Sequence, residues 1–155
     1  MRKIVAMILT LVVLASFGMT GAIQVQAADE LVCVDGSYLL DDADESVGDL
    51  KMSTWGYYLK SGSSTLSKIA TGKIGVGGDT TAQRIVDEIS VTVSVQRLEN
   101  GRWYTYHTWD AEKTNAAYVS TSKTLTVPTG YYYRVCCSHH ASTDSGYSNT
   151  DALYI

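Results

Sequence analysis

Ile89-Ser90-Val91-Thr92-Val93-Ser94-Val95-Gln96-Arg97-Leu98, then Glu99-Asn100-Gly101, then Arg102 to Trp109, carries the strongest structural signal in this 155-residue chain. Ile89, Val91, Val93 and Val95 alternate with Ser90, Thr92, Ser94 and Gln96, a period of two that lines one face of a strand with apolar side chains. Asn-Gly is the dipeptide best suited to reversing a strand, so the segment to Trp109 returns as the second arm of a hairpin. Loop length sets the register. A two-residue Asn100-Gly101 turn pairs Leu98 with Trp103 and sends Trp103 and Trp109 to the Ser/Thr face. A three-residue Glu99-Asn100-Gly101 loop, with Gly101 left-handed, pairs Arg97 with Trp103 and Val91 with Trp109, which puts both tryptophans among the valines. Burial favours the second arrangement, with Tyr104 and Tyr106 facing outward.

Outward from this hairpin the chain reads as short strands punctuated by turn residues. Before it, Tyr57 to Leu59 meets Ser61-Gly62-Ser63-Ser64, Leu66 to Ala70 meets Thr71-Gly72, and Lys73 to Val76 meets Gly77-Gly78-Asp79. Ala82, Ile85, Val86 and Ile89 have helical spacing, but the run is short and flows into the strong strand. A bulged strand start is expected there, with a single helical turn over residues 82–89 as the alternative. After the hairpin, Asp110 to Asn115 is a polar connection. Ala117 to Val127 is a strand region with a break expected near Ser122, and Pro128-Thr129-Gly130 turns the chain. Tyr131 to His139 is the next strand, with Tyr131, Tyr133, Val135 and Cys137 on one face and Tyr132, Arg134 and Cys136 on the other. Ser142 to Gly146 turns it back, and Tyr147 to Ile155 is the last strand. The reading is an all-β domain, an antiparallel β-sandwich of about seven strands over residues 55–155.

Two segments precede that domain. Met1-Arg2-Lys3 is a cationic start, Ile4 to Ile23 is apolar or small, and Val25-Gln26-Ala27 places small residues at the −3 and −1 positions of a cleavage site. Residues 1–27 therefore read as a secretory signal peptide. The product is expected to be secreted and extracellular, with no membrane span after signal cleavage. Its cleavage moves the formal net charge from −4 to −6, because Arg2 and Lys3 are the only charges removed. Half of the 16 acidic side chains then lie between Asp29 and Asp49 with no base among them. Residues 28–54 accordingly read as a self-repelling, poorly ordered acidic arm. Asp42-Ala43-Asp44 begins like a calcium loop but places Val47 where the loop requires glycine and Ser53 where it requires glutamate. An acidic product without a basic patch is not expected to bind nucleic acid.

The late strands carry a resemblance. Pro128-Thr129-Gly130-Tyr131-Tyr132-Tyr133-Arg134-Val135, a glycine turn and a final strand resemble the late strands of immunoglobulin-like and fibronectin-type-III-like sandwiches, with Tyr131 or Tyr133 in the place of their corner tyrosine. A wider set comprises Gly62-Ser63-Ser64, Thr81-Ala82, Val86, Ile89, Val91, Gln96-Arg97, Gly101, Trp103, Trp109, Gly130 to Val135 and His139. By these residues the chain is similar to a family of small secreted proteins of Gram-positive bacteria with no assigned function. That likeness implies the fold and export, and no activity.

The chemistry-bearing residues point to binding. The mature part has 11 tyrosines and three tryptophans and no phenylalanine. Trp103, Trp109, Tyr131 and Tyr133 are expected in the core. The outward Tyr104, Tyr106 and Tyr132, with Arg134 on the face of Tyr132, are the candidate ligand-binding residues, because tyrosine offers contact area at low entropy cost and a hydroxyl to orient it. The partner expected is a cell-surface glycan or protein. Cys136 and Cys137 point to opposite faces, so a disulfide from Cys33 to Cys136 or Cys137 is expected, contributing ~3–5 kcal/mol for a loop of that length. Cys136-Cys137-Ser138-His139-His140 with His107 supplies metal-ligand types, but strand neighbours diverge and no second ligand pair exists, so neither a metal nor a cofactor is expected. No nucleophile elbow, phosphate loop or zinc-protease motif occurs, and the protein is expected not to be an enzyme. A bacteriocin-like or toxin-like antagonist and a hydrolase with an unrecognised site are the alternatives.

Overall fold

In the computed structural model, residues 31–52 and 56–155 are described, and the expected signal peptide lies outside them. They form nine strands and no helix: β1 (Cys33–Val34), β2 (Ser37–Leu40), β3 (Glu45–Asp49), β4 (Leu59–Ala70), β5 (Lys73–Glu99), β6 (Arg102–Thr126), β7 (Tyr132–Ala141), β8 (Asp144–Asn149) and β9 (Ala152–Tyr154). The all-β class is as expected. The connectivity is a single mixed sheet in the order β1-β2-β9-β7-β5-β4-β3, with β6 on β5 and β8 on β7, and β2 runs parallel to β9.

The sheet curls because β5 and β6 are very long. The first part of β5 lies between β4 and β6, while from Ile89 onward it lies between β7 and β6. A register shift between Thr81 and Val86 bends the strand where it changes partners, as an irregularity in a ladder does. Ala82, Val86 and Ile89 are buried at this bend, so the helical spacing seen in the sequence belongs to a bulged strand. The curl brings β4 and the first part of β5 against β7. Leu59, Leu66, Ile74, Val76 and Val119 then share one core with Val91, Val93, Val95, Val135 and Tyr133.

Two expected turns are instead strand interiors. Ser61 to Ser64 lies within β4 and Gly77-Gly78-Asp79 within β5. Their glycines serve close approach between layers. A Cβ on Gly62 would stand 2.6 Å from Nδ1 of His139, and one on Gly78 would stand 2.6 Å from Sγ of Cys137. Likewise the expected connection at 110–115 and break near Ser122 are absorbed into the continuous strand β6. The reversals at Gly72 and Gly130 are real, and both residues have positive φ.

The central hairpin uses the shorter loop. Asn100 (φ 49°) and Gly101 (φ 75°) are both left-handed, the geometry whose twist suits a two-residue hairpin turn, and Leu98 pairs with Trp103. This corrects the expected pairing of Arg97 with Trp103. A bulge at Tyr106, between the pairs Gln96–Thr105 and Val95–His107, then shifts the register, so Trp109 lies opposite Val93. The two tryptophans therefore face opposite sides, with Trp109 on the valine face.

The acidic segment is also corrected. Asp35 (φ 48°) and Gly36 (φ 79°) turn β1 into β2, β3 pairs with β4 from Glu45–Ser67 to Asp49–Ser63, and Lys51 bridges Tyr147. Its described carboxylates, from Asp35 to Asp49, are carried at turns and exposed strand positions, while Ser37 and Ser46 are buried and bond to the backbone of Thr150 and Asp151. Charge repulsion along the segment is thus relieved by solvent exposure, and the strand pairing supplies the order.

Candidate functional site

At the hairpin end of the valine face, Glu99, Tyr106 and Tyr131 gather on the side chain of Arg97. Its Cα partners are Tyr104 on β6 and Tyr133 on β7. The Arg97 guanidinium lies 4.6 Å from the ring centroid of Tyr131 and 5.6 Å from that of Tyr106. Tyr106 in turn packs edge-on against Tyr133 with centroids 5.8 Å apart. The outer rings stay open to solvent: Tyr104 is 50%, Tyr106 39% and Tyr131 38% exposed. Tyr133 beneath them is fully buried, burial pushes its hydroxyl pKa up, and it donates to the carbonyl of Pro128 at 2.8 Å. That bond anchors the ring.

Arg97 is held from one side. Its Nε donates to Oε1 of Glu99 at 2.6 Å and its Nη2 bonds the same oxygen. Glu99 is the first cause of the raised Arg97 pKa. The rim therefore presents the Tyr106 and Tyr131 rings against a guanidinium whose charge is already matched, with Tyr104 on the paired position of β6. Of the residues expected to bind, Tyr104 and Tyr106 are exposed here, while Tyr131, expected in the core, is 38% exposed, and Arg97 was not among the expected site residues. The signal for Arg97 was its place in the Val91-Val93-Val95 phase.

Tyr132 and Arg134 stand on the opposite face and do not join this rim. Tyr132 bonds Asp41, which is the main reason its pKa is pushed up to about 12, and it meets the Tyr154 ring edge-on at 5.1 Å. Arg134 is buried. Its Nε donates to Gln96 Oε1 at 2.8 Å, its Nη1 to the Asp35 carbonyl at 2.7 Å and to Ser37 Oγ at 3.2 Å, and its Nη2 to Asp35 Oδ2 at 3.1 Å. Its guanidinium covers the Trp103 ring at 4.3 Å, and Trp103 Nε1 donates to the Val34 carbonyl at 3.1 Å. Arg134 and Trp103 thus fasten the β1–β2 turn to the sheet. Trp109, half-buried, donates from Nε1 to Thr121 Oγ1 at 3.0 Å, with the Lys123 ammonium 4.5 Å over its ring.

In the structure Cys33, Cys136 and Cys137 are free thiols, and the Cys33 bridge to Cys136 or Cys137 is not formed. Cys33 is exposed on the edge strand β1. Cys136 lies beside Gln96 Oε1 at 3.6 Å, and Cys137 points inward toward the Gly77 carbonyl at 3.8 Å. Burial pushes the Cys137 thiol up to about 12 and raises Cys136 as well, so neither is an activated thiolate.

His139 is fully buried between the layers. Its Nδ1 is 2.9 Å from Thr80 Oγ1 and its Nε2 2.8 Å from Ser148 Oγ. Thr80 gives its single proton to the Ser90 carbonyl at 3.0 Å, so it accepts from Nδ1–H, and Nε2 accepts from the Ser148 hydroxyl. Burial lowers the His139 pKa and keeps the ring neutral. A hydroxyl facing an imidazole in this way resembles an activated nucleophile, but Ser148 is itself buried and out of reach of a substrate. His140 instead meets Ser145 Oγ at 3.2 Å, and His107 lies against Trp109 with ring centroids 5.5 Å apart. Among the described residues no three His, Cys, Asp or Glu side chains converge as metal ligands, and no helix is long and apolar enough to cross a membrane.

The comparison with curated proteins finds no relative. Among solved structures, the chain is similar to Spo0M, a sporulation control protein from Bacillus subtilis, at 10% identity and a TM-score of 0.34. The likeness covers 72% of this chain and 49% of that one, so the chain spans about half the length of that protein. Residues 25–153 match a family of unknown function, DUF6147, and the chain belongs to that family.

Proposed function

We propose that this protein is an exported, non-enzymatic binding module that holds a cell-surface glycan or protein through the rim formed by Tyr104, Tyr106 and Tyr131 around Arg97. The observation that carries the reading is the exposure of two tyrosine rings, Tyr106 and Tyr131, on one guanidinium, with the exposed Tyr104 at the strand position paired with Arg97. Rings of this kind bury apolar area at little entropic cost and keep a hydroxyl for orientation. Tyr132 and Arg134 leave the binding set, since their polar atoms are taken up by Asp41, Asp35 and Gln96. Export rests on the cationic start, apolar run and small-residue cleavage site of residues 1–27. The likeness of the late strands to immunoglobulin-like sandwiches is supported by the corner-type bond of Tyr133 to Pro128. A pull-down on cell walls, glycans and surface proteins tests the reading. Wild-type protein is expected to be retained by a partner and the Tyr104→Ala/Tyr106→Ala variant to be released; equal retention of both discards the rim.

A further inference from the structure

The rim has a chemical character more specific than aromatic. Arg97 and Glu99 lie two residues apart on one strand, and both Nε and Nη2 of the arginine are spent on a single carboxylate oxygen. Their side chains remain 24% and 33% exposed, so a ligand reaching the rings meets this pair directly. A carboxylate or phosphate ligand would meet a guanidinium whose Nε–Nη2 edge and charge are already taken by Glu99, and would approach the remaining donors against the Glu99 charge. The chain as a whole is also acidic, with a formal net charge of −4, which works against polyanions.

Size narrows the ligand further. Three tyrosines at about half exposure or less offer on the order of 300 Å² of ring surface, from about 150–250 Å² for a whole aromatic side chain. That falls well short of the roughly 800 Å² per side of an ordinary protein interface. It suits a few sugar rings, whose C–H faces lie on aromatic rings while their hydroxyls meet the phenol edges.

We infer that the rim takes an uncharged saccharide, and that Glu99 sets this selectivity by cancelling the charge of Arg97. The inference rests on the binding reading above and adds the ligand class and a specificity residue to it. Removing the carboxylate frees a guanidinium between rings, the arrangement that recognises a uronate.

The test is retention of the purified protein on neutral polymers (dextran, mannan, mixed-linkage β-glucan, chitin oligosaccharides) and on acidic ones (polygalacturonate, alginate). Wild type is expected to hold at least one neutral polymer and to release the acidic ones. Tyr104→Ala and Tyr131→Ala are expected to weaken neutral binding about tenfold each. Glu99→Gln is expected to shift the ratio of acidic to neutral binding about tenfold toward the acidic polymer, with the shift lost at high salt. Wild type holding acidic polymers as tightly as neutral ones, or Glu99→Gln leaving their ratio unchanged, overturns the selectivity while the rim stands if the tyrosine variants release. Retention on no saccharide overturns the ligand class, and tyrosine variants that bind like wild type overturn the rim itself. Circular dichroism and thermal unfolding establish that each variant is folded, and Tyr104→Ser, at the most exposed ring, replaces any alanine variant that is not.

Discussion

The Arg134 guanidinium reaches Asp35, 99 residues away in sequence, and bonds both its carbonyl, at 2.7 Å, and its carboxylate, at 3.1 Å. The two ends of this contact differ. The arginine side chain is 7% exposed and that of the aspartate 79%. The buried end carries the energetics, because the guanidinium also satisfies Gln96 and Ser37 and lies on Trp103. The acidic N-terminal segment is ordered by this clamp and by strand pairing.

Arg134→Ala is therefore expected to destabilise the fold by ~2–4 kcal/mol, since it strands buried acceptors and uncovers Trp103. Arg134→Lys is expected to recover little, because one ammonium cannot reproduce the fork. Asp35→Asn is expected to cost only ~0–1 kcal/mol, as the exposed carboxylate is screened and the carbonyl bond remains. Urea midpoints of the three variants check the order; an Asp35→Asn loss as large as that of Arg134→Ala would contradict it.

His139 makes stability depend on pH. Burial depresses its folded pKa below the ordinary imidazole value of 6.5, so the unfolded chain binds a proton more readily. Its contribution to stability is fully present above pH 6.5 and is lost as pH falls from there through the depressed folded value. His139→Gln, which can still bond Thr80 and Ser148, is expected to flatten that acid-side fall. Denaturant midpoints at pH 7.5 and 5.5 give the comparison, and an unchanged slope in the variant rules His139 out as its source.

Gly78 tests the reading of mid-strand glycines as spacers between layers. The added methyl of Gly78→Ala meets Cys137 Sγ at 2.6 Å, Ser63 O at 3.1 Å and Val91 Cγ2 at 3.2 Å. Overpacking of this kind costs ~1–3 kcal/mol. In a Cys137→Ala background the penalty is expected to shrink, a coupling that a double-mutant cycle measures. A penalty independent of Cys137 would place the clash elsewhere.

Several features were legible in the chain alone. The Ile89-Val91-Val93-Val95 alternation specified the central strand and its buried face, because a period of two admits no other partition of those side chains. Asn100-Gly101 marked the hairpin, whereas the expected outward face of Tyr104 went with the longer loop: in the two-residue turn Tyr104 pairs with Arg97 and shares the phase of the valines. The register was not legible, because the bulge at Tyr106 depends on what lies across the strand and leaves no local pattern.

Glycine misled for a related reason. At Gly72, Gly101 and Gly130 it supplies positive φ, whereas at Gly62 and Gly78 it makes room for His139 and Cys137 from the facing layer. Sequence shows the missing side chain but not which of these needs it answers. The same holds for Arg134, which alternation placed on an outer face and the folded chain covered with the turn at Asp35. The period-two alternation is local and was settled by the sequence itself. Which face a second layer covers, and so whether an arginine is a clamp or a rim residue, is a contact between distant segments that only the tertiary structure decides.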